Sequence, residues 1–215
     1  MSTVDLVCHS QGEHFENLME IISYMARVSN PDNQNNKLTA PKLLAYLEKH
    51  NHFSPFEMVS ATLEITTTRD IARQILRHRS FSFQEFSQRY AKVSSFSLRE
   101  ARLQDAKNRQ NSLETKNSVL EEQWQEVQRN ILDEVKAGYD WALNSGIAKE
   151  QARVILPEGL TESKMYMAGT IRSWMHYIAL RTDASTQKEH REVAWQCAEA
   201  LELIYPSILD FVVDN

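Results

Sequence analysis

The sequence predicts an α+β fold. Only five Gly and five Pro fall in 215 residues, and polar and apolar residues recur at helical three- and four-residue steps over most of the chain. Two shorter segments, near the start and at 59–67, carry strand character instead, so short strands combine with long helices. With 42% hydrophobic and 25% charged residues, the chain can bury a core as one domain over 1–215.

Val4 to His9 reads as a short strand, and Glu13 to Val28 as a helix with Leu18, Ile21, Ile22 and Met25 on one face. Ser29-Asn30-Pro31 stops it. Pro41 suits the first turn of a second helix running to about Lys49, with Leu43, Leu44 and Leu47 inward. His50 to Pro55 is a turn or loop. From Val59 to Thr67, Ala61, Leu63 and Ile65 alternate with Thr62, Glu64 and Thr66, as in a half-buried strand. Thr68 then caps a helix from Arg69 to about Leu76, with Ile71 and Ile75 on one face and Arg69, Arg73 and Arg77 along another, ending at a helix-to-loop junction. Residues 98–118 are polar and form a mobile connection. A long helix over Val119 to Asn144 carries Leu120, Trp124, Val127, Ile131, Val135 and Tyr139 at helical steps before Gly146. A short helix follows at Ala148 to about Val154, and after Pro157 and Gly159 two more helices are expected, about Glu162 to Leu180 and Thr186 to Tyr205. Trp124, Trp174 and Trp195 fall on apolar faces and read as core.

The net charge of −5 is unevenly spread: between Arg69 and Arg102 eight Lys/Arg meet three Asp/Glu, a local +5. That favours a local anion site over a general nucleic-acid surface. Cys8 and Cys197 form neither a CxxC nor a CxxH pattern, which argues against a disulfide framework and a thiolate zinc site. The N-terminus lacks a basic start followed by a long apolar run, and no segment reaches the roughly 20 apolar residues of a membrane span. A cytoplasmic protein that binds neither membrane nor nucleic acid is expected.

Chemistry concentrates at 77–90, RHRSFSFQEFSQRY. Guanidinium groups grip phosphate through parallel hydrogen bonds, and hydroxyls complete an anion shell. Composition alone leaves a solvated basic helix end equally open; the order of residues separates the two readings. RHR, seven residues, then Ser and Arg one position apart and Tyr resembles the signature of the flavin-dependent thymidylate synthases, the ThyX family. KHNHFSPFE at 49–57, ARQILRHR at 72–79, ARVILP at 152–157 and RSWMHYIALR at 172–181 occur in that family's order and extend the resemblance over most of the chain.

The resemblance implies long helices packed on a small, mainly antiparallel sheet. It also implies a homotetramer with active sites shared between subunits, and conversion of dUMP to dTMP. Methylenetetrahydrofolate would donate the carbon and NADPH-reduced FAD the hydride. Matching positions assign dUMP contacts to Gln74, Arg77, Glu85, Phe86, Ser87, Gln88, Arg89, Arg153 and Arg181. They assign FAD contacts to Ser29, His52, Ser54, Arg77, His78, Arg79, Glu85, Thr170, Ile171, Arg172 and His176. Arg181 would be catalytic, its fixed charge favouring the N3-deprotonated pyrimidine; its plainer reading is a helix C-terminal arginine favoured by the dipole. Arg153 could instead cap a carbonyl, His52 and His78 could be structural, and Glu85 could merely neutralise its neighbours. Gln84, Phe86, Gln88, Thr170 and His176 depart from the residues frequent in the family. Neither cysteine belongs to the matched signature, so a thiolate nucleophile is not favoured. A flavin- or nucleotide-binding protein without turnover and a helical nucleic-acid-binding module remain as other classes. The retained Arg181 weighs against the first, and overall acidity against the second.

Overall fold

The computed structural model describes residues 2–213. A four-stranded antiparallel sheet in the order β1-β2-β6-β3 is built from β1 (Thr3–His9), β2 (Ser60–Thr68), β3 (Ser82–Glu85) and β6 (Glu162–Thr170). The helices are α1 (Leu18–Ala26), α2 (Ala40–Lys49), α3 (Arg69–Ile75), α4 (Ser118–Asn144), α5 (Lys149–Ala152), α6 (Ile171–Arg181) and α7 (Lys188–Glu202). The small strands β4 (Arg102–Gln104) and β5 (Ser112–Glu114) pair with each other.

Alternation sets the core. Ala61, Leu63 and Ile65 of β2 and Met165 and Met167 of β6 point to one face and are buried there with Trp174, Tyr177 and Ile178 of α6 and Val193, Ala194 and Cys197 of α7. The opposite face is polar, where Lys164 and Glu64 form an ion pair at 2.6 Å. The Trp174 indole N–H donates to the Ala61 carbonyl at 3.2 Å, so even the largest core side chain is satisfied.

Two stop signals work as the residues dictate. Gly146, at φ +80, ends α4 with its N–H on the Leu143 carbonyl and that of Ile147 on Ala142. Asn51, at φ 57, does the same after α2, and the His52 N–H closes onto the Leu47 carbonyl at 2.8 Å. Asn tolerates the left-handed conformation better than most residues, so the turn that carries His52 is fixed locally.

Several expectations are corrected. The helix expected from Glu162 begins only at Ile171: residues 162–170 are β6, paired with β2 from Ser60↔Thr170 to Thr68↔Glu162. Glu, Lys, Met and Ala favour helix intrinsically, but burial of Ser163, Met165 and Met167 between two strands overrides that preference. The loop expected within the arginine motif contains β3, hydrogen-bonded to β6. Helix α1 is shorter than expected, because the Asn17 side chain caps it by accepting from the Glu20 N–H. Met25 is exposed.

The 98–118 connection contains the β4–β5 hairpin, tied down where Arg99 and Arg102 meet Glu189 at 3.2 and 2.5 Å. Of the three tryptophans read as core, only Trp174 is buried; Trp124 and Trp195 are 41% and 37% exposed. Helix α4 rests on the body through Leu132, Tyr139 and Ala142, so Trp124, Val127 and Ile131 lie outward as an apolar row. Among the described residues, no helix is long and apolar enough to cross a membrane.

Candidate active site

Strands β2 and β6 feed directly into helices, and that is how the site is assembled. Thr68 and Thr170 keep extended backbone at the N-caps of α3 and α6; Thr170 accepts from the Ser173 N–H, whereas the Thr68 hydroxyl turns to Asp70 and Arg99. The antiparallel register starts the two helices at opposite ends of the sheet. The turn after α3 meets the C-terminal end of α6, with the Arg181 Nε–H donating to His78 Nε2 at 2.9 Å.

Phe81 fixes the turn between α3 and β3. Its ring packs edge-on to Trp174 at 4.7 Å and lies on Gly169, where an added Cβ would fall 2.4 Å from a ring carbon. Any side chain at Gly169 would therefore displace the arginine motif.

The Arg181 contact requires an unprotonated Nε2. Burial first, and then the adjacent Arg181 charge, lower the His78 pKa to about 4, so at neutral pH the ring is neutral with its proton on Nδ1. No other hydrogen bond or ion pair holds the Arg181 guanidinium among the described residues. Its terminal N–H groups are left for a ligand.

The other arginines divide into two sets. Arg69 and Arg73 are paired with acids, Arg69 with Glu85 at 3.4 Å and Arg73 with Glu158 at 2.8 Å, and Arg89 meets Glu150 at 3.2 Å. The Arg77, Arg79 and Arg153 guanidiniums have no such partner among the described residues. The Arg89–Glu150 pair brings α5, and with it Arg153, beside the motif.

Glu85 accepts from Ser163 at 2.8 Å as well as from Arg69, and so belongs partly to the sheet. Phe86 is 36% exposed, and Ser87 opens a turn in which its Oγ accepts from the Arg89 N–H at 3.4 Å. Gln88 is buried, with its side-chain nitrogen lacking a partner among the described residues.

A second cluster lies at the start of α6. Glu57, from the 3-10 turn Ser54–Glu57, binds Arg172 at 2.5 Å and accepts from the Thr170 hydroxyl at 3.0 Å. The Arg172 hydrogen bond outweighs burial and lowers the Glu57 pKa. The Nε of Arg172 is buried without a partner among the described residues. His176 is exposed, its ring edge-on to Phe53 at 5.3 Å, while the Ile171 side chain is core and offers only backbone.

The Ser173 hydroxyl reaches the Ser80 carbonyl at 3.4 Å and joins this cluster to the motif. Exposed His52 packs with Tyr46 and His50, and Ser29 and Ser54 are exposed; Ser54 opens the turn whose Glu57 holds Arg172, while among the described residues no hydrogen bond or ion pair ties Ser29 or His52 to the arginines. Sequence reasoning missed Glu57 as the brace of Arg172 and missed His190 altogether. The only signal for Glu57 was its place at the end of KHNHFSPFE. A buried histidine in a late helix gave none.

The arrangement suits a nucleotide-binding α+β protein: free guanidinium groups flank a charged fork held by a neutral imidazole. Residues 13–207 match the family model described as thymidylate synthase complementing protein. The "Probable flavin-dependent thymidylate synthase" of Paramecium bursaria Chlorella virus 1 is 51% identical over 197 residues, covering 90% of this chain and 91% of that protein. The flavin-dependent thymidylate synthase of a Synechocystis strain is 48% identical over 188 residues, covering 87% and 86%. A crystal structure of a UMP/dUMP methylase, PolB from Streptomyces cacaoi, bound with 5-Br dUMP superposes with a TM-score of 0.83 at 28% identity, covering 98% of this chain and 94% of that one. The chain belongs to the flavin-dependent thymidylate synthase family.

Proposed function

We propose that this chain converts dUMP to dTMP with methylenetetrahydrofolate as carbon donor and FAD, reduced by NADPH, as hydride source. Beyond family membership, the observation that carries this reading is the Arg181–His78 contact, which leaves a fixed positive charge at the end of α6, oriented and otherwise unpaired among the described residues. Such a group stabilises negative charge on a pyrimidine deprotonated at N3 without reorganising during reaction. Arg77, Arg153 and Arg89, with Ser87, grip the phosphate, and Arg89 leaves Glu150 to do so. Gln74, Glu85 and the 86–88 turn, which includes Phe86 and Gln88, line the sugar and base.

Arg77, Arg79, Arg172, Thr170 and the backbone at Ile171 hold FAD together with His78, His176, Glu85, Ser29, His52 and Ser54. The fit rests on the guanidiniums of Arg77 and Arg79 and the buried Nε of Arg172, which have no partner among the described residues and are donors suited to a diphosphate. When bound, FAD supplies the hydride that completes the new methyl group. The protein's own part is to bind, orient and charge-stabilise the pyrimidine.

The assembly is a homotetramer with sites completed between subunits. Outward-facing Trp124, Val127 and Ile131 on α4 form an apolar row that a second copy would cover. Exposed free Cys8 and buried free Cys197 suit a reducing cytoplasm. A visible spectrum of the purified protein tests the reading: bound oxidised flavin perturbed by added dUMP is expected. A colourless protein that takes up no FAD, or a flavin spectrum indifferent to saturating dUMP, would overturn it.

A further inference from the structure

A line of hydrogen bonds outside the arginine motif ends on Gln74, and its direction can be read from chemistry alone. The Glu189 carboxylate can only accept: Arg99 and Arg102 hold one oxygen, and the other accepts from the Gln187 side chain at 2.8 Å. Gln187 must therefore turn its NH2 to Glu189 and its oxygen to Gln74, which donates to it at 2.8 Å. Gln74 in turn presents its oxygen to His190 Nδ1 at 3.2 Å, so that nitrogen must carry the proton. His190 Nε2 is then an acceptor, and the Tyr177 hydroxyl lies 3.2 Å away to donate to it. Reversing either carboxamide would set two oxygens, or an oxygen and a carboxylate, face to face.

His190 is fully buried. Its pKa is lowered to about 3, by burial first and then by Arg181 and His78, which keeps it neutral. The Tyr177 hydroxyl is also fully buried, and its pKa is raised well above the ordinary value, so it stays a donor. Burial by itself would raise the Glu189 pKa, but Gln187, its own backbone amide, Arg99 and Arg102 leave it lowered, so the anchoring carboxylate is ionised.

We propose that His190 is a positioning residue: locked as the Nδ1–H tautomer between Tyr177 and Gln74, it holds the Gln74 carboxamide with its NH2 facing the nucleotide. Gln74 then offers one free N–H donor, which selects an acceptor oxygen on the nucleotide rather than a donor. The same relay ties the 98–118 connection, through Arg99 and Arg102, to the substrate site. The inference rests on the assignment of Gln74 as a dUMP contact.

The test is dUMP affinity and steady-state kinetics of FAD-loaded protein in a mutant cycle. His190→Leu is expected to weaken dUMP binding about five- to tenfold, the loss of one directed hydrogen bond, with FAD affinity unchanged and the effect in KM more than in kcat. His190→Asn, whose amide donates from the place of Nδ1, is expected to stay within about twofold of wild type. Should His190→Leu fold poorly, Tyr177→Phe removes only the hydroxyl and is expected to cost about threefold. In a Gln74→Leu background these changes should add almost nothing.

Equal losses with and without Gln74, or His190→Asn as impaired as His190→Leu, would overturn the relay while leaving the dUMP assignment of Gln74 intact. Gln74→Leu binding dUMP like wild type would instead remove Gln74 from the site, and the relay's purpose with it.

Discussion

Acidification should destabilise this protein in a pH window opened below about pH 6.5 by its buried histidines. His190 has an ordinary value of 6.5 and a folded pKa of about 3. Above about pH 6.5 neither folded nor unfolded chain holds the extra proton, so stability is unaffected. As pH falls below 6.5 the unfolded chain takes up a proton that the folded chain refuses, and stability is lost until the folded pKa is reached.

Each pH unit in that window costs about 1.4 kcal/mol per histidine, so going from about pH 6.5 to about pH 4.5 costs roughly 2.5 kcal/mol for His190. His78, with a folded pKa of about 4, behaves alike. Because it is only half-buried, solvent screening trims its share to about 1 kcal/mol. Together this is a sizeable part of the roughly 5–15 kcal/mol that a typical domain possesses.

Urea denaturation of wild type and His190→Asn at pH 7 and pH 4.5 isolates the His190 contribution. Protein and FAD concentrations are held equal, so that ligand and assembly linkage enter both alike. The variant should lose about 2.5 kcal/mol less than wild type over that range, because Asn has no proton to refuse. Equal losses in the two proteins would refute the claim that His190 is buried neutral.

Other perturbations follow from the same geometry. Arg77→Ala should weaken both FAD and dUMP binding, by roughly 1.5–3 kcal/mol for each charge-assisted hydrogen bond removed; titrations giving wild-type affinities for both would remove it from the site. Arg181→Lys keeps the charge but loses the planar fork and the Nε–H that His78 accepts, so single-turnover rates at saturating dUMP should fall more than FAD affinity. Unchanged rates would show that Arg181 does not activate the pyrimidine. Glu57→Gln should lower FAD affinity about five- to tenfold by loosening Arg172, with the dUMP affinity of fully FAD-loaded protein nearly unchanged; an equal drop for dUMP would mean that Glu57 shapes the whole site.

The legible parts of the fold are those where local pattern and tertiary environment agree. β2 alternates cleanly, α4 ends at Gly146 as a left-handed C-terminal glycine demands, and the arginine string is contiguous, so strand, helix and motif are readable directly. The stretch 162–170 misleads because Met, Ala, Lys and Glu carry helix preference, while pairing with β2 and β3 is a non-local fact. Trp124 and Trp195 mislead because helical periodicity reveals a stripe without revealing what covers it. In the site, contiguous residues such as Arg77 and His78 are accessible to sequence. The Glu57 brace of Arg172 spans 115 positions and the Gln74–His190 contact 116, and no local rule finds such pairs.

The flavin route proposed for dUMP methylation by this chain needs no protein thiolate. Cys197 is fully buried, and burial drives its pKa far up, so it stays a thiol; Cys8 lies on β1 outside the arginine cluster. The direct measurement is dTMP formation by the Cys8→Ser/Cys197→Ser double variant, per mole of folded, flavin-loaded protein. The Cys197 change is expected to cost stability of about 1–3 kcal/mol through a buried hydroxyl. The double variant should make dTMP at a rate close to wild type with dUMP, methylenetetrahydrofolate and NADPH, and none when FAD is stripped. A folded variant that binds FAD and dUMP normally yet makes no dTMP, or wild-type protein that makes dTMP equally well without flavin, would contradict it.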